Sequence, residues 1–169
     1  MTSSMPSNQE LLESVLVPKL ADLLLEKKFK LVTAESCTGG AVAAACTDLA
    51  GSSDWFERGF VTYSNAAKTE LLGVDAALIV MHGAVSEAVA RAMAQGALVH
   101  SAAQVSLAVT GVAGPGGGSP AKPVGTVWFA WGVSGQVHSQ KMQFTGDRAA
   151  VRRAAVTHAL QRLTELLRS

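Results

Sequence analysis

One corner of this chain limits what it can fold into. The apolar run Leu31-Val32-Thr33 leads into Ala34-Glu35-Ser36-Cys37-Thr38-Gly39-Gly40, and the alanine-rich run Ala41–Ala45 follows at once. A buried strand that turns directly into a helix is the repeating unit of α/β proteins. At such corners backbone N–H groups gather and ligands bind. Ser36 has two readings there. It is either a helix N-cap, as serine before a helix commonly is, or a nucleophile. Thr38 is a second candidate for the cap.

The rest of the chain repeats the alternation. Residues 8–29 place leucines and valines near a 3.6-residue period, with Pro18 expected to kink or divide the helix. Lys30–Ala34 reads as a strand and Thr38–Leu49 as a helix ended by Gly51. Phe60–Tyr63 is a strand candidate and Asn65–Leu72 a helix closed by Gly73. Ser86 is a candidate N-cap for a helix over Glu87–His100. Gln104–Thr110 reads as a strand, followed by the glycine-rich loop Gly111–Pro120. Val124–Val133 and Gln136–Phe144 form a hairpin around Ser134-Gly135, a good two-residue turn. A helix over 147–167 closes the chain. Strands alternating with helices, then a hairpin, predict a three-layer α/β/α sandwich with a mixed sheet.

Bulk properties narrow the function. At 169 residues, one domain over 9–169 is expected, behind a short disordered lead over 1–8. A net charge of +1 offers no field for nucleic acid. No apolar run is long enough to span a bilayer, and the N-terminus has no secretory pattern. Cys37 and Cys46 match no zinc or redox spacing, so a reduced, cytoplasmic protein is expected.

Several residues could carry chemistry. None of the four histidines lies in a recognisable catalytic motif, and no Walker lysine or metal-binding motif is present. Lys68, just after a strand, could replace histidine as a base if burial lowered its pKa from about 10.4 toward roughly 7–8. Its alternative is an exposed helix residue. Tyr63, the only tyrosine, could relay a proton or simply pack. Cys37 is either a rival nucleophile or a small buried hydrophobe. The Gly111–Gly118 loop is either a connector or an anion-binding nest, with Thr110 at its start. It runs into a strand, so it is neither a Rossmann fingerprint nor a P-loop. Gly51–Phe56 reads as a turn around buried aromatics, with Ser53 a further site candidate. Arg148, Arg152 and Arg153 crowd the first turns of the last helix, where cations oppose the helix dipole. An anionic ligand facing Arg148 would reverse that sign.

These blocks stand in one order: residues 34–40, Gly59–Asn65, Gly83–Glu87, Thr110–Pro115 and Lys122–Val127. From about residue 10 onward the chain resembles the C-terminal domain of the competence/damage-inducible CinA family. Val112 stands where isoleucine is common. The resemblance implies a three-layer α/β/α fold without the additional N-terminal domain of longer members. It also implies deamidation of nicotinamide mononucleotide by a serine–lysine mechanism, with no metal and no cofactor. Ser36 would be the nucleophile, Lys68 the base and Tyr63 its assistant. Thr38, Gly39, Ser53, Thr110, Gly111, Ala113, Gly114 and Arg148 would bind a pyridine nucleotide, and Ser53 is the alternative nucleophile. A homo-oligomer, specifically a dimer, is expected. The alternatives are a catalytically silent nucleotide-binding or damage-response partner, and a hydrolase of another amide.

Overall fold

The computed structural model describes residues 5–169. Four residues of the expected disordered lead, 1–4, lie outside them. Ser7 opens the helical segment with a capping box: its Oγ accepts from Glu10 N–H, and its own N–H donates to the Glu10 carboxylate. Helix α1 (Asn8–Leu11) passes through a widened π-type turn, Leu12–Leu16, into α2 (Val17–Lys27). Pro18 therefore sits in the first turn of α2, where its missing N–H costs least.

Five strands follow: β1 (Leu31–Glu35), β2 (Phe56–Val61), β3 (Val105–Gly111), β4 (Thr126–Val133) and β5 (Gln136–Gln143). Their order in the sheet is β2-β1-β3-β4-β5. β1 pairs parallel to β2 and β3, while β3–β4 and β4–β5 are antiparallel. The sheet is mixed, as expected. Ser134 (φ 52°) and Gly135 (φ 78°) form the tight turn between β4 and β5.

Alternation sorts the side chains of the sheet. Leu31, Leu107, Val109, Phe129 and Trp131 face one layer, made by α2, α3 (Ala41–Thr47) and α7 (Arg148–Arg168). Trp131 satisfies its indole N–H on the carbonyl of Ala159, 3.0 Å away. Val32, Ala34, Ala108 and Ala130 face the other layer: α4 (Asn65–Leu72), α5 (Ala76–His82) and α6 (Glu87–Val99). These small residues meet an alanine-rich α6, so that helix lies close on the sheet. Gly96 of α6 permits the next contact, because a Cβ there would stand 2.0 Å from the Leu72 carbonyl oxygen at the end of α4.

Three boundaries depart from expectation. The helix expected over Thr38–Leu49 is only α3, because residues 37–40 form a turn with Gly39 and Gly40 at positive φ. Neither Ser36 nor Thr38 caps it. The strand expected at Phe60–Tyr63 begins at Phe56 and ends at Val61. Helix α5, capped by Asp75, was not anticipated; its run of apolar residues carries no helical period.

Candidate active site

β1, β2 and β3 are parallel, so their carboxyl ends open on one edge of the sheet. From β1 the chain turns to α3 on one face; from β2 it turns to α4 on the other. A crevice at such a divergence is where open α/β sheets bind ligands. Here it is a cleft of about 300 Å³, the lower end of the range for small-molecule sites, roughly 300–1,000 Å³. Ser36 and Cys37 line it from β1, Tyr63, Asn65 and Lys68 from the β2–α4 corner, and Thr110 to Gly114 from β3 and the glycine loop.

At its floor Lys68 Nζ lies 3.1 Å from Ser36 Oγ. The same amine donates to the carbonyls of Thr62 (2.9 Å) and Tyr63 (3.2 Å). Lys68 is buried, one helical turn from the Ser64 cap that starts α4. Burial pushes its amine below the ordinary 10.5, since a charged ammonium there loses its hydration. With two N–H bonds fixed on backbone carbonyls, a neutral Lys68 would aim its lone pair at Ser36 Oγ.

Ser36 is free for that contact because another residue caps α3. The buried Glu35 carboxylate accepts from the N–H groups of Val42 (2.8 Å) and Ala43 (3.0 Å). It neutralises the positive end of α3 from inside the protein. Glu35 is a residue that sequence reasoning passed over.

The remaining expected residues divide. Thr110 lines the cleft but donates its hydroxyl to the Ala84 carbonyl, 2.9 Å away. Tyr63 lends Lys68 its backbone carbonyl. Its phenol is exposed and accepts from Arg148 Nη2 at 3.2 Å. Arg148 also donates to the Gly114 carbonyl at 2.8 Å, tying the glycine loop to the cleft. Gly111, Ala113 and Gly114 are wall residues. Thr38 and Gly39 do not line the cleft: Thr38 is buried with its Oγ1 unpartnered, and Gly39 is exposed outside it. Ser53 sits before the amino end of β2, whereas Ser36 follows the carboxyl end of β1, so the two serines occupy opposite edges of the sheet. Cys37 is buried, and desolvation raises its thiol to about 11. Asn65 was missed, although its i, i+3 spacing to Lys68 puts both on one helix face. Among the described residues, no three of His, Cys, Asp and Glu converge to hold a metal. Nor is any helix long and apolar enough to cross a membrane.

Fold and cleft together define a class: single-domain, three-layer α/β proteins with a serine–lysine pair at the carboxyl edge of the sheet. Within that class the chain belongs to the CinA C-terminal domain family, whose model matches residues 13–167. It is 54% identical over 153 residues to the nicotinamide-nucleotide amidohydrolase PncC of Pseudomonas putida, covering 90% of this chain and 96% of that one. Against the protein of the same name from Escherichia coli K12, identity is 55% over 134 residues, covering 79% and 81%. Among solved structures, a competence-damaged protein (CinA) superfamily member from Escherichia coli superposes with a TM-score of 0.90 at 39% identity, covering 98% of this chain and 95% of that one. The competence/damage-inducible protein CihA of Agrobacterium tumefaciens gives 0.87 at 42%, covering 99% and 100%.

Proposed function

We propose that this protein hydrolyses the carboxamide of nicotinamide mononucleotide to nicotinate mononucleotide and ammonia. The 3.1 Å contact between Lys68 Nζ and Ser36 Oγ carries the reading, and identity above one half to enzymes of that name over most of the chain supports the substrate.

Neutral Lys68 takes the Ser36 proton as Oγ attacks the carboxamide carbon. The carbonyl π pair moves onto oxygen, which backbone N–H groups beside Ser36 or in the Gly111–Gly118 loop would stabilise. The oxyanion then collapses, the C–N bond breaks, and the nitrogen leaves as ammonia with the proton from Lys68. Water attacks the resulting ester, giving its proton to Lys68. The acyl C–O bond breaks, and Ser36 Oγ recovers that proton. Arg148 and the glycine loop would hold the nucleotide, with the guanidinium suited to a phosphate.

The test is incubation with nicotinamide mononucleotide while ammonia and the acid product are followed. Turnover abolished in Ser36→Ala is the expected result. Full activity in that variant would move the nucleophile elsewhere. No turnover by the unmodified protein would leave nucleotide binding alone.

A further inference from the structure

The three arginines at the start of α7 are an electrostatic oddity in the sequence, and Arg148 accounts for only one of them. Arg152 spends its charge on the turn that carries Ser36. Its Nε donates to the Cys37 carbonyl and its Nη2 to the Thr38 carbonyl, both at 3.1 Å. Those bonds join positions 115 and 114 residues apart in the chain. The residue that ends this turn, Gly40, has no side chain to cap α3.

We infer that Arg152 is a positioning residue for the nucleophile turn, acting through backbone carbonyls and not through substrate. The inference rests on the Ser36–Lys68 reading above. The peptide unit is planar and trans, so each carbonyl fixes the direction of the N–H on the far side of the same bond. Drawing the Cys37 and Thr38 carbonyls toward α7 turns the N–H groups of Thr38 and Gly39 the opposite way. The Gly39 N–H then donates to the Ser36 carbonyl at 3.0 Å and closes the turn. A continuous path thus runs from Arg152 through two carbonyls to the backbone of Ser36.

Gly39 fits this arrangement. Its φ of +60° is the left-handed conformation that glycine adopts without strain, while a Cβ there would rest 3.4 Å from Arg152 Nη2. From the opposite side, Glu35 holds the N–H groups that follow the turn. The Ser36 corner is therefore gripped at its carbonyls by a cation and beyond its end by an anion, and both charges lie outside the cleft lining. A planar guanidinium reaches two adjacent carbonyls from two fixed donors, which a lysine ammonium does not reproduce.

The experiment measures kcat and KM for nicotinamide mononucleotide in Arg152→Met and Arg152→Lys, with Arg153→Met as a neighbouring control. Arg152→Met is expected to lower kcat about 100-fold, the cost of a misplaced reacting group. KM should barely move, and added guanidinium should restore part of the rate. Arg152→Lys, which keeps the charge, should recover only part of kcat. Arg153→Met should match the unmodified protein. Folded Arg152→Met or Arg152→Lys with undiminished kcat would overturn the assignment, as would a rise in KM alone, which marks a substrate contact. Ser36→Ala in the same assay separates the two readings. If it is inactive while Arg152→Met is fully active, only the role of Arg152 falls; if it is active, the serine mechanism falls first.

Discussion

The Glu35 carboxylate accepts from the backbone N–H of Val42 at 2.8 Å, and this bond decides what Ser36 can do. A helix N-terminus needs an acceptor, and the hydroxyl nearest in sequence ordinarily supplies it. Because a buried acid supplies it here, the serine is left to Lys68. Glu35→Gln keeps one carbonyl oxygen but turns a donor toward the second N–H. Unfolding free energy is expected to fall by roughly 1–3 kcal/mol, read from denaturant titrations. Unchanged stability would show that α3 finds its cap elsewhere.

Lys68 gives two pH dependences with definite signs. Only its neutral form can accept the Ser36 proton, so the rate should rise with pH through a pKa lying below 10.5. For stability, the unfolded lysine keeps its proton up to about 10.5, whereas the folded one gives it up earlier. Between those two values the unfolded chain binds more protons, so unfolding free energy rises with pH. Below the lowered pKa both states are protonated and the burial penalty is complete. Urea midpoints measured across this range should climb more steeply for the unmodified protein than for Lys68→Met. Parallel curves would mean that Lys68 titrates normally.

Cys37 lies beside the proposed nucleophile but should not react. With its thiol raised to about 11 by burial, the thiolate is scarce at neutral pH. Iodoacetamide at pH 7 is expected to leave amidohydrolase activity intact. Rapid inactivation blocked by nicotinamide mononucleotide would reopen the cysteine as a reactive group.

The Tyr63 phenol touches Arg148 Nη2, not the lysine amine. Tyr63→Phe should therefore resemble a mild version of Arg148→Ala. Both are expected to raise KM more than they lower kcat. A collapse of kcat in Tyr63→Phe at unchanged KM would instead place the phenol in the proton path.

Local patterning made much of this architecture legible. The apolar run of β1, the Ser134-Gly135 turn and the Ser86 cap are each set by neighbours in sequence, and each stands where expected. The start of α3 was not legible, because its cap arrives from the strand side through a buried carboxylate that looks like an ordinary strand residue. The charged Glu57-Arg58 pair hid the first half of β2, which suits an edge strand. At the site, Ser36 and Lys68 could be named from residue type and position. The grip of Arg152 could not, since more than a hundred residues separate its two ends.

The sheet separates the two helical layers, and the proposed chemistry straddles it. Ser36 leads into the layer of α3 and α7, while Lys68 rides on α4 in the layer opposite, where Gly96 lets that helix seat against α6. The 3.1 Å between them is thus a gauge of how the two layers register. A slip of about 1 Å in either layer would open that gap while leaving every helix wound and every strand paired, and would cost on the order of 100-fold in rate. In mild denaturant, hydrolysis should fade before the circular dichroism of the helices does.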